Sequence, residues 1–423
     1  MTTKARSPVL ADLEWRGLVS DATNPEELDA HLAEAPRSIY CGFDPTADSL
    51  HVGNLLLLLA LRRVQLAGHR PVVLIGGGTG LIGDPSGKAG ERVLNPEEQV
   101  AEWADRLKRQ VERFFEFGGG ANAAVLADNY AWLSRLDVIR FLRDVGKHFP
   151  LGGMIARESV RSRMGRSGAG MSYTEFSYQV LQAYDFLCLY RQYGCTMQIG
   201  GSDQWGNITA GTDLIRRVEN ATAFGLTVPL VTQPDGTKFG KTESGTVWLD
   251  ARRTSPYEMY QFWLNTADAD VVTFLKYFTF LERPEIEQLA RATRTAPEKR
   301  EAQRALAEKV TALVHGKNAV EEAERISRAL FSGNVKSLSE SELAQVIRAI
   351  PTKKPPAETG VIPVLLSTGL ASSKRAAREL VTTGAIQING ESIHDPNAPI
   401  PAPLYGKYTI VRKGKKTYVG YVV

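Results

Sequence analysis

The chain is poor in cysteine. Cys41, Cys188 and Cys195 are all it has in 423 residues, an odd count without the paired spacing of metal ligands. That excludes a disulfide framework and a cysteine-built zinc site, and it suits a reducing compartment such as the cytoplasm. Long apolar runs are missing as well. The longest, within 55–66, is interrupted by Arg62 and Arg63, so it reads as a buried helix and not as a membrane span. The N-terminus has neither a secretory apolar core nor an Arg- and Ser-rich transit pattern. No internal repeat is found, and 43% apolar with 23% charged residues is ordinary for a globular protein, which sets disorder aside. A chain of this length is expected to form two to four domains.

Charge, by contrast, is unevenly placed. From residue 352 onward ten lysines and arginines stand against four aspartates and glutamates. That is a net of +6 in a chain of +4, which leaves the first 351 residues at −2. A basic module on a slightly acidic body suggests a polyanionic partner. A merely soluble basic tail is the plainer alternative.

Over the first 230 residues strand-like runs alternate with helical ones. Residues 38–43 read as a strand, followed by an Asp44-Pro45 turn and a helix over 55–66 that closes at Gly68. His51, Gly53 and Asn54 sit at the start of that helix, where unpaired N–H groups and the helix dipole favour phosphate. A second strand at 71–75 runs into the glycine-rich stretch 76–88. Asn95-Pro96-Glu97-Glu98 predicts a helix running through Trp103 and Val111 to Phe117. Further strands are predicted at 125–127, 196–199 and 226–231, and helical stretches at 137–147 and 154–166. Ser172-Tyr173-Thr174-Glu175 predicts a helix ending near Gly194.

This alternation predicts an α/β fold with a Rossmann-like, doubly wound parallel sheet. Ligands of such sheets gather at the carboxyl ends of the strands. The unusual stretches 40–54, 76–88, 128–129, 200–204 and 233–242 all fall at such ends. Residues 255–330 read as helical, and 336–360, with Pro351, Pro355 and Pro356, as a linker. The remainder reads as a small α+β module: an apolar run at 361–366, a basic helix at 372–380, a strand at 385–388 turning at Asn389-Gly390, and a strand pair within 407–423. The expected domains are thus 1–232, Rossmann-like with a helical insertion, then 233–335, a lysine-bearing loop and an α-helical domain, then the linker 336–360 and the module 361–423.

Two generic phosphate motifs compete for attention. Gly78-Thr79-Gly80-Leu81-Ile82-Gly83 spells the dinucleotide fingerprint after a strand, which also requires an acidic residue at the end of the next strand, about 20 residues on. Glu97, Glu98 and Glu102 lie at that distance but within a helix, so hydride transfer is rejected. Gly236 to Thr242 is one residue short of a phosphate-binding loop, and no strand feeds directly into it. It is still a glycine-containing loop with Lys238 and Lys241, suited to transient phosphate contact, or else a solvated turn. In the helix opened by Ser172, Tyr178, Gln182 and Asp185 stand at i, i+4 and i+7 and share one stripe. Asp185 is the only charge between Phe176 and Tyr190, so its carboxylate needs a donor. It either reaches solvent at a helix edge or forms one wall of a small-ligand pocket.

Tyr40, Asp44-Pro45-Thr46 and His51-Val52-Gly53-Asn54 together resemble the first signature of class I aminoacyl-tRNA synthetases. Lys238-Phe239-Gly240-Lys241-Thr242 resembles the second. With Gly83-Asp84-Pro85-Ser86-Gly87-Lys88, the Tyr178, Gln182, Asp185 stripe, and Gly200-Gly201-Ser202-Asp203-Gln204-Trp205-Gly206-Asn207, the chain is similar to bacterial-type tyrosyl-tRNA synthetases over essentially its whole length. The tail resembles their alpha-L RNA-binding module.

The resemblance implies that tyrosine and ATP give tyrosyl-adenylate and that tRNA then receives the tyrosyl group. Thr46, His51, Lys88, Arg92, Lys238, Lys241 and Thr242 would act on the phosphates. Asp44, Gly53, Asn54, Gly201, Asp203 and Lys241 would hold ATP. Tyr40, Asp84, Tyr178, Gln182, Asp185 and Gln204 would hold tyrosine. Lys374, Arg375, Arg378, Lys413, Lys415 and Lys416 would meet tRNA. It also implies Mg²⁺ carried with ATP and no dedicated metal site, a homodimer, and no membrane partner. A slot built to pair with a hydroxyl rejects phenylalanine, tyrosyl-tRNA synthetases being the standing example of that rule.

The chain departs from the broader class pattern at Asn54, where a second histidine is usual, and at Phe239-Gly240 and Thr242. Asparagine still donates through its amide, and both lysines are kept. A synthetase-derived RNA-binding protein, a tryptophan synthetase of the same class and a small nucleotidyltransferase are the rival readings.

Overall fold

The computed structural model describes residues 6–86, 94–155, 160–161, 171–231, 240–242, 245–354, 358, 360–414 and 417–422. Among these residues the first sheet comprises Asp21–Ala22 (β1), Ser38–Phe43 (β2), Arg70–Ile75 (β3), Val125–Asp128 (β4), Cys195–Gly201 (β5) and Phe224–Val228 (β6), in the order β1-β6-β5-β2-β3-β4. Every pairing is parallel except that of β1 with β6 at one edge. β3 is buried from Pro71 to Ile75, the continuous apolar run of a strand covered on both faces. The chain winds outward from β2 through β3 to β4, then restarts on the other side of β2 with β5 and β6. The sheet therefore reverses between β2 and β5, where a doubly wound fold opens its ligand crevice.

The helix Val52–Leu66 packs behind β2 and β3. Leu55, Leu56, Leu58, Leu59 and Leu61 are buried, and so are Arg63 and Gln65. Arg63 donates to the carbonyl of Thr279 at 2.6 Å, while Gln65 donates to those of Glu116 and Asn122 at 2.7 and 3.0 Å. The apolar run is thus a core helix whose two buried polar members end on backbone oxygens. Arg16, 6% exposed, donates to the carbonyls of Lys276 and Leu281 in the same segment. The two arginines fasten 272–286 to this body, and the chain divides into one unit of residues 1–250 with 272–286 and a second of 251–271 with 287–423.

Several boundaries differ from those the sequence predicts. The helix expected from Asn95 to Phe117 spans Glu97–Val111, with Pro96 as its cap and a tighter turn over Glu112–Phe114. Phe114, closing that turn, and Phe115, already extended, are buried core residues and not more α-helix. The stretch 137–147 forms a short α-turn, a π-turn and a 3₁₀-turn in succession, and of the predicted 154–166 helix most lies outside the described residues. No helix among the described residues is long and apolar enough to cross a membrane.

The second unit contains the helices Pro256–Leu264, Glu301–His315, Lys317–Ser332 and Glu340–Ala349. The last of these lies inside the stretch 336–360 that reads as a linker. Ser339 and Glu342 cap its start reciprocally, and Leu343, Val346 and Ile347 bury one face, so only the proline-rich part beyond it is irregular. The C-terminal module packs Val361–Ser367 and Lys374–Thr382 on an antiparallel sheet of Ile386–Ile388 (β9), Glu391–Ile393 (β10), Tyr408–Lys413 (β11) and Thr417–Val422 (β12). Asn389 and Gly390, both at positive φ, make the tight turn between β9 and β10.

Candidate active site

Tyr40 points from β2 into the reversal of the sheet. It is 1% exposed, its ring stands edge-on to Phe186 at 5.0 Å, and its hydroxyl has no hydrogen-bond partner. β5 sets Gln198 beside Tyr40, and Gln198 Oε1 is likewise buried and unpartnered. Two buried polar atoms on paired residues, each without a partner, are a free-energy debt that a polar ligand would remove. Burial, and after it the Asp185 carboxylate, holds the Tyr40 phenol well above its ordinary pKa.

Asp185 lies on the helix Tyr173–Tyr193, which Ser172 caps through the Glu175 N–H and which Gly194 ends in a left-handed turn. The carboxylate is 1% exposed, so it forms a wall and does not reach solvent. Its two oxygens accept from Asn129 Nδ2 at 2.8 Å and Trp132 Nε1 at 2.7 Å. Burial raises its pKa from 3.8 to about 8, against the pull of those two bonds and with help from Asp44 and Asp128.

Asn129, fully buried at the end of β4, ties this acid to the rest of the crevice. Its Oδ1 accepts from the Gly78 and Thr79 N–H groups at 2.7 and 3.4 Å, and its Nδ2 also donates to Thr79 Oγ1 at 2.9 Å. Thr79 Oγ1 in turn donates to Asp44 Oδ1 at 2.8 Å, and the Tyr178 hydroxyl donates to Asp44 Oδ2 at 2.6 Å. A continuous chain therefore links Tyr178, Asp44, Thr79, Asn129, Asp185 and Trp132. A side chain at Gly76 would collide with the Asp44 carboxylate, so the glycine run there makes room for an acid. Asp44, expected on ATP, has both oxygens engaged within this chain.

A second branch carries the remaining polar residues. Gln204 donates to Asp84 Oδ2 at 2.6 Å, and the Ser86 N–H donates to Asp84 Oδ1 at 2.9 Å. Asn207 donates to both Gln182 Oε1 and Gln204 Oε1, at 3.0 and 3.1 Å. Tyr178, Gln182 and Asp185 thus share a helical stripe but serve two networks. Asn129, Trp132, Thr79, Asn207 and Gln198 are the members that sequence reading did not single out. The signals for them are the place of Asn129 at a strand end and the quoted motifs that contain Thr79 and Asn207, none of which assigns a role.

The phosphate corner is built at the start of the Val52–Leu66 helix. His51 and Asn54 cap it reciprocally: His51 Nδ1 accepts from the Gly53 N–H at 3.0 Å, and Asn54 Oδ1 accepts from the His51 N–H at 3.1 Å. With Nδ1 accepting, a neutral imidazole carries its proton on Nε2 and presents it as a donor. The ring lies so close over Gly53 that a Cβ there would sit 2.8 Å from His51 Cε1. Asn54 has its oxygen committed, so its NH₂ is the half able to meet an anion.

The lysine-bearing segment returns to this corner. The Val247 N–H donates to the Gly240 carbonyl at 2.7 Å, Val52 donates to Val247 at 3.1 Å and Leu249 donates to Leu50 at 2.8 Å. Gly240, at φ +81°, lies against Val52, where a Cβ would collide with the valine side chain. Lys241–Thr242 (β7) pairs with Gly245–Thr246 (β8) just beyond. Thr46 is exposed at the turn after β2. Gly201 ends β5, and a Cβ there would come within 2.7 Å of Asp203 Oδ1, the acid being exposed on the rim. Lys88, Arg92, Lys238, Lys415 and Lys416 lie outside the described residues, and so do the side chains of Lys241 and Thr242. In the second unit Lys374, Arg375 and Arg378 stand exposed on one capped helix, while Lys413 donates to the Leu370 carbonyl at 2.9 Å.

Residues 32–332 match the family described as tRNA synthetases class I (W and Y), and residues 342–421 match the tyrosine--tRNA ligase SYY-like C-terminal domain. The tyrosine--tRNA ligase of Geobacillus kaustophilus is 56% identical over 414 residues, which are 97% of this chain and 98% of that one. Tyrosine--tRNA ligase 1 of Bacillus subtilis is 54% identical over 416 residues, with the same coverage. Among solved structures, a C-terminally truncated mitochondrial tyrosyl-tRNA synthetase of Aspergillus nidulans superposes with a TM-score of 0.71 at 31% identity, over 77% of this chain and 95% of that one.

Proposed function

The chain belongs to the class I tRNA synthetases of the tryptophan and tyrosine group; from that membership we propose that it activates L-tyrosine with ATP and passes the tyrosyl group to the 3′-terminal adenosine of tRNA(Tyr). The observation that carries the choice of tyrosine is the buried, unpartnered Tyr40 hydroxyl in a slot walled by Asp185. A substrate phenol would accept from Tyr40 and donate to Asp185. Asp84, Tyr178, Gln182 and Gln204 would receive the α-ammonium, two of their partners being carboxylates already.

The substrate carboxylate is the nucleophile on the α-phosphate, and pyrophosphate leaves. No enzyme nucleophile is required, so catalysis rests on alignment and on charge stabilisation. Thr46 and the His51 Nε2–H would meet the phosphates as charge moves outward, with Lys88, Arg92, Lys238, Lys241 and Thr242 around the departing pyrophosphate. Gly53 and Gly201 would let the nucleotide lie on backbone, Asn54 would donate to it, and Asp203 would hold the ribose. Asp44 would act from between the two substrates. Mg²⁺ would arrive with ATP and keep phosphate and water ligands; no His, Cys, Asp and Glu cluster among the described residues could hold a metal ion.

Lys374, Arg375, Arg378 and Lys413, with Lys415 and Lys416, would contact tRNA. The protein would work in the cytoplasm, in keeping with three buried free thiols. It would act as a homodimer, for which Val138, Ile139, Leu142, Leu151 and Ile155 offer exposed apolar surface within one short segment. Pyrophosphate exchange into ATP, run in parallel with tyrosine, phenylalanine and tryptophan, tests the reading. Exchange with tyrosine alone is expected; exchange with tryptophan alone would overturn the specificity, and none at all would favour an RNA-binding protein without activation.

A further inference from the structure

Asp128 ends β4 and stands directly before Asn129, whose amide serves the Asp185 carboxylate. Three elements meet on it. Its Oδ1 accepts from the Tyr130 N–H at 2.9 Å, which folds the turn around Asn129. Its other oxygen accepts from Lys108 Nζ at 2.9 Å, and the same ammonium donates to Asp105 Oδ1 at 3.0 Å. A Cβ at Gly77 would come within 2.4 Å of Asp128 Oδ1, so the glycine run lies directly against the carboxylate. Backbone bonds close the frame: the Asn129 N–H donates to the Ile75 carbonyl at 3.1 Å.

Lys108 comes from the helix Glu97–Val111 and borders a cavity of about 250 Å³ floored by Leu81, Ala101 and Ala104. Among the described residues that line this cavity Lys108 is the one cation, facing Glu97, Asp105 and Asp128. The Tyr130 hydroxyl donates to Glu97 across it. Burial lowers the Lys108 pKa, and the bonds to Asp128 and Asp105 more than reverse that, so the ammonium keeps its charge. Because the pair borders open space, truncating the lysine leaves Asp128 to water and does not seal a bare charge in the core. On the crevice side burial first, and then the charges of Asp44 and Asp128, oppose ionisation of Asp185. An ammonium held on Asp128 offsets the last of these.

We propose that Lys108 is a positioning residue for tyrosine recognition: through Asp128 it fixes the turn that presents Asn129 and offsets the negative charge behind Asp185. The proposal rests on the reading of Asp185 as the acceptor of the substrate phenol. With Asp128 paired, Asp185 gives up its proton at lower pH and can take the phenol's hydrogen. With Asp128 unpaired, the proton stays on Asp185 to higher pH. The other titratable groups facing Asp185 are the Asp44 carboxylate, the phenols of Tyr40, Tyr178 and Tyr184, and the Cys188 thiol. Burial raises the three phenols and the thiol above their ordinary values, so none of them titrates between pH 6 and 8.5. Asp44 keeps its two partners whatever stands at 108.

Full-length Lys108→Met, Lys108→Arg, Asp128→Asn and the Lys108→Met/Asp128→Asn double variant, assayed by tyrosine-dependent pyrophosphate exchange from pH 6 to 8.5, decide the matter. Lys108→Met should raise the KM for tyrosine at pH 7 by about 3- to 10-fold. The pH at which that KM levels off should move up, while kcat and the KM for ATP stay at wild-type values. Lys108→Arg should behave as the wild type. In the Asp128→Asn background, where no charge is left to offset, losing the lysine should have no further effect. An unchanged KM for tyrosine in Lys108→Met overturns the proposal. So does a rise that is equal at every pH, or one that survives in the Asp128→Asn background, since either marks a merely structural role. If the wild type shows no tyrosine-dependent exchange, the catalytic reading falls, and urea unfolding of the ligand-free proteins up to pH 9 still decides the role of Lys108. Stability lost with rising pH should level off at a higher pH in Lys108→Met than in the wild type, and curves of the same shape would overturn the proposal.

Discussion

Asp185→Asn should make the ligand-free protein more stable at neutral pH while removing its activity. An acid whose folded pKa exceeds its unfolded value binds its proton more tightly when folded. Its favourable share is complete below pH 3.8 and drains away as pH climbs to about 8. The slope is at most about 1.4 kcal/mol per pH unit, or about 4 kcal/mol between pH 5 and 8. Asparagine does not titrate, so the variant is spared that loss. It has a single acceptor oxygen, however, and either Asn129 Nδ2 or Trp132 Nε1 must then face an NH₂ group. An unsatisfied buried donor costs about 1–3 kcal/mol at every pH, so the variant should overtake the wild type by about pH 6. Urea unfolding of both proteins from pH 5 to 8, without ligand, measures the difference directly. Parallel stability curves would mean that Asp185 ionises as in water, and would refute the account of a desolvated acid.

Other expectations follow from single contacts. Asn129→Ala leaves an Asp185 oxygen, the Gly78 N–H and the Thr79 hydroxyl short of a partner. It should lower stability by about 2 kcal/mol or more and raise the KM for tyrosine well before that for ATP in the exchange assay. Gly240→Val places a side chain against Val52 at φ +81° and should slow adenylate formation while leaving tyrosine binding, read by equilibrium dialysis, near normal. Arg63→Met removes the shorter of the two buried donors to the Thr279 carbonyl, leaving Arg16 Nη1 at 3.4 Å, and thermal unfolding should show a loss of about 1–3 kcal/mol with no change in substrate KM at permissive temperature.

Much of the crevice can be read from the chain because its parts obey a short period. The stripe of Tyr178, Gln182 and Asp185 follows from helical spacing, and the His51–Asn54 corner from its position at a helix start. Asn129 and Trp132 follow from neither. They sit in a turn after β4, more than fifty residues before the acid they serve, and no periodic pattern links 129 to 185. Gln198 becomes Tyr40's neighbour only through the pairing of β5 with β2. The Glu340–Ala349 helix was hidden for a different reason: the prolines that follow it outweighed the capping residues that open it. Long-range pairing, and not local propensity, is what a linear reading could not supply.

Asn129 uses both ends of its amide, taking two N–H groups on oxygen and giving two on nitrogen. Such an amide cannot be turned over without breaking all four contacts, so the polarity of the whole relay is fixed. Its arrows run into Asp44 and Asp185, which receive and, when ionised, have nothing to give. With Asp185 ionised, a guest must therefore bring its own hydrogen to the far wall of the slot. O-methyltyrosine, with the same oxygen and no hydrogen on it, would be refused for the direction of a bond as much as for the bulk of a methyl group.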